Sequence, residues 1–260
     1  MTTRSFSDQT GYTISLHSPP QRIISLVPSQ TELLADLGLN EKVIGITKFC
    51  VHPLDWRTRK TIVGGTKNFH FDIIESLNPD LIIGNKEENY LEGIERLRAK
   101  YPVWISDIIT LQDALSMIRS VGLLTEKESE AEQYVQDIAQ KFRKVKKFDG
   151  QSVLYLIWRA PWMAVGKETF IDSMLTSIGL KNALDSVVRY PELTAYEIKN
   201  LAPRYIFLSS EPYPFKKNHI DEIRQFSPAS RIVLVDGEMF SWYGSRLRIA
   251  PDYFNTLELV

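Results

Sequence analysis

Short apolar runs recur along the chain, separated by stretches in which apolar residues return at helical spacing. RIISLV (22–27) is rich in β-branched residues and reads as a buried strand. Pro28 and Ser29 follow it. Ser29 and Glu32 match an S-x-x-E capping box, TELLADLG is the helix this box opens, and Gly38 is its stop. KVIGIT (42–47) is the next strand. Strand, turn, helix and strand in that order predict a parallel sheet with right-handed crossovers. The theme continues with helices over 71–77, 91–100 and 110–121 and strands over 80–83 and 103–106. Residues 1–20 read as a weak strand or arm ending at Pro19-Pro20.

The stretch 124–148 has a different pattern. Thr125 and Glu128 match a second capping box, and apolar residues recur at Ala131, Tyr134, Val135, Ile138 and Phe142. Glutamates crowd its start and Lys/Arg its end, which complements the helix dipole. Roughly 24 helical residues would make a rod of about 36 Å. After Gly150 the alternation resumes with strands over 152–158 and 163–166 and a helix over Phe170–Ile178 stopped by Gly179.

The two halves also repeat each other. FDIIESLNPDLIIGN (71–85) and AYEIKNLAPRYIFLSS (195–210) align on Pro79 and Pro203, with Leu77 on Leu201 and Ile82-Ile83 on Ile206-Phe207. HIDEIRQF precedes RIVLVD as LEGIERL precedes PVWIS. One repeat at wide separation predicts a duplicated lobe. The expected fold is α/β: two Rossmann-like lobes with parallel sheets, 1–122 and 150–260, joined by a single long backbone helix within 123–149.

RIISLVPSQTELLADLGLNEKVIGIT, NPDLIIG, VGKETFIDSMLTSIGLKNA and FSWYGSRL resemble, in that order, the signatures of a known family. It is the family of periplasmic binding proteins that deliver cobalamin, haem and ferric siderophores to ABC importers. The resemblance runs from about Arg22 to Phe254. It implies two lobes bridged by a rigid helix, a ligand in the cleft, no covalent cofactor, an ABC permease dimer as partner, a monomer, and a periplasmic or cell-surface location.

Open α/β sheets bind ligands beyond the carboxyl ends of their strands. The segments that follow the expected strands carry large aromatics, arginines and carboxylates. The candidate ligand-binding residues are Phe49, Asn85, Glu88, Tyr90, Trp158, Arg159, Trp162, Met163, Tyr190, Glu238, Phe240, Trp242, Tyr243 and Arg246. Wide aromatic faces suit flat, bulky ligands, and arginine forks suit carboxylate or phosphate. By the resemblance, Phe49, Trp162 or Met163, Tyr190 and Glu238–Trp242 match cleft positions, and Thr66 stands where cobalamin-binding relatives carry a tryptophan. The resemblance also implies a transporter-docking acid on each lobe. Asp72 fills the first position, while the second is Tyr196 with Glu197 beside it. Glu197 has a separate structural expectation, a capping box with Thr194.

Charge and composition trim the alternatives. A net charge of −1 gives no basic excess for nucleic acid, and no apolar run is long enough to span a membrane. The start MTTRSFSDQTGYTISL lacks the apolar core of a secretory signal, which leaves a cytoplasmic corrinoid- or cofactor-handling protein as one alternative. Bare zinc or manganese binding by His52, His70, His219 and Glu238 is another, although no closely spaced ligand pair occurs and no metal site is assigned. Cys50, the single cysteine, reads as a structural thiol. No nucleophile elbow, P-loop or dinucleotide fingerprint is present. Gly64-Gly65 reads as a turn and Glu87-Glu88 as a solvated loop, so no enzyme is expected.

Overall fold

The computed structural model describes residues 3–259; the outermost residues of the expected N-terminal arm and second lobe lie outside them. The chain forms two compact units. The first holds the residues up to Ile108, Gln112–Ala139 and Tyr243–Arg248. The second holds Ile109–Leu111, Gln140–Trp242 and the residues from Ile249 on. Tyr243–Arg248, expected in the lobe 150–260, therefore packs in the first unit, as does most of the expected linking segment.

The first unit begins with a hairpin, β1 (Arg4–Ser7) and β2 (Thr13–Leu16), where a weak strand or arm was expected. Asp8 closes its turn. The Asp8 carboxylate accepts from the backbone N–H groups of Thr10, Tyr12 and Ile105, from the Thr10 hydroxyl, and from Arg98 at 2.8 Å. This carboxylate is fully buried, so its partners offset a large desolvation cost.

Next come β3 (Ile23–Ser25), α1 (Pro28–Asp36), β4 (Val43–Ile46), α2 (Trp56–Arg59), β5 (Thr61–Ile62), and a small hairpin of β6 (Gly64–Gly65) and β7 (Asn68–Phe69). Helices α3 (Phe71–Leu77) and α4 (Leu91–Arg98) follow, with β8 (Leu81–Asn85) between them and β9 (Val103–Ser106) after. The sheet order is β5-β4-β3-β8-β9, parallel throughout. Ile24, Ile82, Val103 and Ile105 from its strands meet Ile74, Ile94 and Leu97 from α3 and α4 in one core. Helix α1 starts one residue earlier than the expected cap. Pro28 sits in its first turn, Val27 is the cap residue, and no side chain caps it. Glu32 is instead occupied by Arg246.

The rod expected over 124–148 is one helix, shorter at both ends, and it follows the helix expected over 110–121. α5 (Leu111–Thr125) ends, Glu126 takes φ 55°, and α6 (Glu128–Lys144) begins. At 17 residues α6 is about 26 Å long. Thr125 does not cap it, because its hydroxyl bonds back to the Val121 carbonyl. The Lys127 N–H closes the α5 end on the Gly122 carbonyl at 2.7 Å. A Cβ at Gly122 would lie 2.4 Å from the Ala131 methyl, so the bend needs glycine at the crossing. Helix α6 starts among residues of the first unit and ends among those of the second.

The second unit contains β10 (Ser152–Trp158), β11 (Trp162–Ala164), α7 (Phe170–Ser177), β12 (Lys181–Asn182), β13 (Glu192–Leu193), α8 (Ala195–Leu201), β14 (Tyr205–Ser209), α9 (Lys217–Arg224), β15 (Arg231–Val235), α10 (Gly237–Ser241) and α11 (Ala250–Asn255). Its order is β13-β11-β10-β14-β15, with β12 beside the start of β10. β10, β14 and β15 are parallel, whereas β11 and β13 are antiparallel additions.

The repeat is structural. β3-β8-β9 and β10-β14-β15 share order and direction. α3 and α8 each bury one residue, Ile74 and Ile198, at equivalent positions. Burying such a side chain stabilises by about 2 kcal/mol. Both helices stop on a left-handed residue, Asn78 at φ 44° and Ala202 at φ 41°, before the shared proline turns the chain into its strand. The expected box at Thr194 and Glu197 is present, with both reciprocal bonds.

Candidate functional site: the carboxyl edges of the two sheets

In the first unit, the segment after β4 presents Phe49, which is 48% exposed with the Lys48 ammonium 5.1 Å from its ring centroid. Gly65 lies against this ring, since a Cβ there would sit 3.2 Å from Phe49 Cε2. Asn85, at the end of β8, is buried and spent on structure. Its Oδ1 accepts from the backbone N–H groups of Glu87 and Glu88, and its Nδ2 donates to Ser106 Oγ at 3.0 Å. Asn89 Nδ2 donates to the Thr66 carbonyl, and Lys67 Nζ donates to the Glu87 carbonyl, so the two loops are tied together. Tyr90 packs on Phe69 with centroids 4.8 Å apart and joins the core.

Two candidates from the C-terminal stretch, Tyr243 and Arg246, lie in this unit. Tyr243 is buried and its hydroxyl donates to Glu88 Oε1 at 2.6 Å. Burial, and then the Glu88 charge, push its phenol well above the usual range. Arg246 grips Glu32 with two bonds of 2.9 and 2.5 Å, and neither side chain exceeds 16% exposure. That fork is already filled, so Arg246 serves the attachment of Tyr243–Arg248 to α1. Burial raises the Glu32 carboxyl, against the pull of Arg246.

In the second unit, aromatic rings gather where β10 and β14 end. Trp158 is 40% exposed and meets Tyr213 edge-on at 5.5 Å. Tyr213 meets Phe215 at 4.8 Å, and Trp162 stacks on Phe215 with planes 4° apart at 6.2 Å. His219 orients Tyr213. Its Nδ1 accepts from the Lys216 N–H at 2.8 Å, which leaves the proton on Nε2, 3.2 Å from the Tyr213 hydroxyl oxygen. Arg159 forms a two-pronged pair with Glu222, both bonds 2.8 Å, and its guanidinium lies 5.7 Å from the Trp162 ring centre. The Arg159 bonds hold the Glu222 carboxyl below its ordinary range. Met163 pairs with Glu192 across β11 and β13, and Tyr190 is half-buried under Arg189.

Three further candidates in this unit point inward. Phe240 is fully buried among Tyr155, Phe207, Tyr253 and Phe254, so the expected ligand contact is a core residue. Trp242 is buried and its Nε1 donates to Glu211 Oε1 at 2.9 Å, an oxygen that also accepts from Ser241 at 2.6 Å. Glu238 is half-buried nearby. Glu211, two residues past β14, was not among the candidate ligand-binding residues. Burial raises its carboxyl, and the charges of Glu238 and Asp236 add to this. Gly237 is required beside it, because a Cβ there would lie 2.6 Å from Glu211 Cγ.

Asp72 and Glu197 are exposed on α3 and α8, and Tyr196, the counterpart of Asp72, is 72% exposed. Cys50 is buried against Thr31 and Thr47, and burial pushes its thiol up. Among the described residues no group of three or more His, Cys, Asp or Glu side chains is placed to hold a metal ion. No described helix is long and apolar enough to cross a membrane. A cavity of about 300 Å³ at the N-terminal hairpin is lined by Phe6, Leu16 and Leu124 with Arg4 and Glu126, and none of the candidate residues lines it.

The chain is 28% identical over 210 residues to an uncharacterized ABC transporter substrate-binding lipoprotein of Bacillus subtilis, covering 75% of this chain and 66% of that protein. It is 24% identical over 239 residues to the vitamin B12-binding protein of Pectobacterium carotovorum, covering 89% and 86%. The petrobactin-binding protein of Bacillus subtilis has the same fold, with a TM-score of 0.82 at 16% identity over 99% of this chain and 100% of that one. These are transport binding proteins, and none of the three is named as an enzyme. The profile of the periplasmic binding protein family matches residues 23–230, and the chain belongs to that family.

Proposed function

We propose that this protein is the solute-binding component of an ABC-type importer and that its cargo is a metal chelate such as cobalamin, haem or a ferric siderophore. The candidate contacts at the carboxyl edges of the sheets are Phe49 and Glu88 in the first unit and Trp158, Trp162, Met163 and Tyr190 in the second. One observation carries the reading: the aromatic tier of Trp158, Tyr213, Phe215 and Trp162 stands where open α/β sheets bind ligands, and it leaves Trp158 exposed. Exposed indole faces suit flat, wide ligands. The named cargoes of relatives support the same class, with vitamin B12 for one and petrobactin for another.

No chemistry is performed on the cargo. The protein acts as a monomer outside the cytoplasmic membrane and hands its cargo to a permease dimer, and α6 is the stiff joint of the chain. On the docking side the reading places weight on Asp72, which is exposed in the first turn of α3. Glu197 is committed to the Thr194 N–H and hydroxyl, both at 2.7 Å, and so makes the weaker docking group.

Equilibrium titration of tryptophan fluorescence with cyanocobalamin, haem, a ferric trihydroxamate and a ferric tris-catecholate tests the reading. Saturable quenching by one of them at micromolar concentration is expected. Failure of all four to bind would overturn it.

A further inference from the structure

The aromatic tier of the second unit contains one guanidinium, and it is already matched. Arg159 lies 5.7 Å from the Trp162 ring centre, and both of its prongs are on Glu222 at 2.8 Å. Glu222 projects from α9, the helix whose His219 also orients Tyr213. Helix α9 thus fixes both the ring and the charge state of the tier. We infer that Glu222 sets cargo specificity: by cancelling Arg159 it makes the tier accept a chelate whose rim is uncharged and disfavour one that carries carboxylates or a net anionic shell. The inference deepens the proposed function and rests on it.

A guanidinium fork satisfies one carboxylate in two-pronged fashion. An anionic group on the cargo has to displace Glu222 to use it, and the displaced carboxylate then stays beside the incoming charge. Like charges brought together at a binding surface oppose association and are a common source of discrimination. An uncharged rim of amides or esters meets no such opposition and still has the indole and phenol faces. The pairing survives ordinary pH, because Arg159 holds the Glu222 carboxyl below its usual range, so the pair persists from neutral pH down into mild acid.

The test uses matched probes that differ only in rim charge. One pair is cyanocobalamin and its monocarboxylate, in which one side-chain amide is hydrolysed. The other is the dimethyl ester of haem and haem itself. Affinities of the intact protein for each pair are measured, and the readout is the ratio of anionic to neutral affinity. Wild-type protein is expected to favour the uncharged member. Glu222→Gln frees Arg159 and should move the ratio toward the anion at least about fivefold. Glu222→Asp, which keeps the charge, should return most of the preference, and the Arg159→Gln/Glu222→Gln double variant should lose the gain. A merely loosened α9 would weaken both members and leave the ratio alone. An unmoved ratio in Glu222→Gln, or a wild-type protein that already favours the anionic member tenfold, overturns the inference while the proposed function stands. Binding of neither pair and of neither ferric chelate overturns both.

Discussion

The two units share a scaffold and differ where it matters for binding. In each, a seven-residue helix stops on a left-handed residue, a proline follows, and a buried strand begins. The strands end on Asn85 and Ser209, which occupy equivalent positions. Each polar side chain accepts from the backbone N–H two residues on, Glu87 in one and Glu211 in the other. From that point the units diverge. The first unit knots its loop into β9 and the Thr66 turn through Asn85 and Asn89, and leaves Phe49 in the open beside it. The second builds a tier of four rings with Trp158 outermost. Duplication thus supplies the frame, and the unequal loops supply the binding surface.

The largest way to break the comparison is to remove a lock that only the first unit has. Asp8→Ala strips the buried carboxylate from Arg98, which keeps only Glu95 as an acidic partner, and should cost about 3–5 kcal/mol. Urea denaturation followed by hydrogen exchange should then show the first unit opening before the second. Trp104, whose Nε1 donates to the Ser7 carbonyl, gives a local signal for the hairpin. Equal loss across both units would contradict the separate lock.

A smaller effect is expected at the shared strand ends. Asn85→Ala strands the Glu87 and Glu88 N–H groups and should destabilise by about 1–3 kcal/mol. Ser209→Ala, with fewer bonds in play, should cost about 1 kcal/mol. Parity between them would mean that the two loops are held equally tightly.

Glu211→Gln probes the second unit through pH. Burial raises this carboxyl in the folded protein, so the native state holds its proton to higher pH than the unfolded chain. Folding stability should therefore fall as pH rises from the ordinary carboxylate range through the raised native value. The glutamine variant keeps an oxygen for Ser241 and Trp242 and should flatten that decline. A pH profile identical to wild type would remove Glu211 from the account. Smallest of all, Thr194→Ala should cost about 1 kcal/mol in the second unit through loss of the α8 cap, read by thermal denaturation.

Much of the frame was legible in the sequence because periodicity and punctuation report on backbone. The Leu-x-Pro repeat located α3, α8 and the strands after them, and the Thr194 box formed as expected. The failures have identifiable causes. Thr125 looked like a cap but bonds backward, so α5 runs on to it and α6 starts only at Glu128. Arg246 and Phe240 were placed on the edge by their position after a strand. Position after a strand does not distinguish an open side chain from one already paired with Glu32 or packed against Phe254. Glu222 was invisible for the same reason, since its partner lies 63 residues away in the chain.

The central claim is that the aromatic tier of the second unit is where the cargo is gripped, and one measurement addresses it most directly. Trp158→Ala and wild-type protein are titrated side by side with the chelate that binds best, using equilibrium dialysis so that the lost fluorophore does not bias the result. A loss of affinity of about tenfold, with the far-ultraviolet circular dichroism retained, is the outcome predicted for a large exposed ring at the centre of a contact. Unaltered affinity in Trp158→Ala would contradict it.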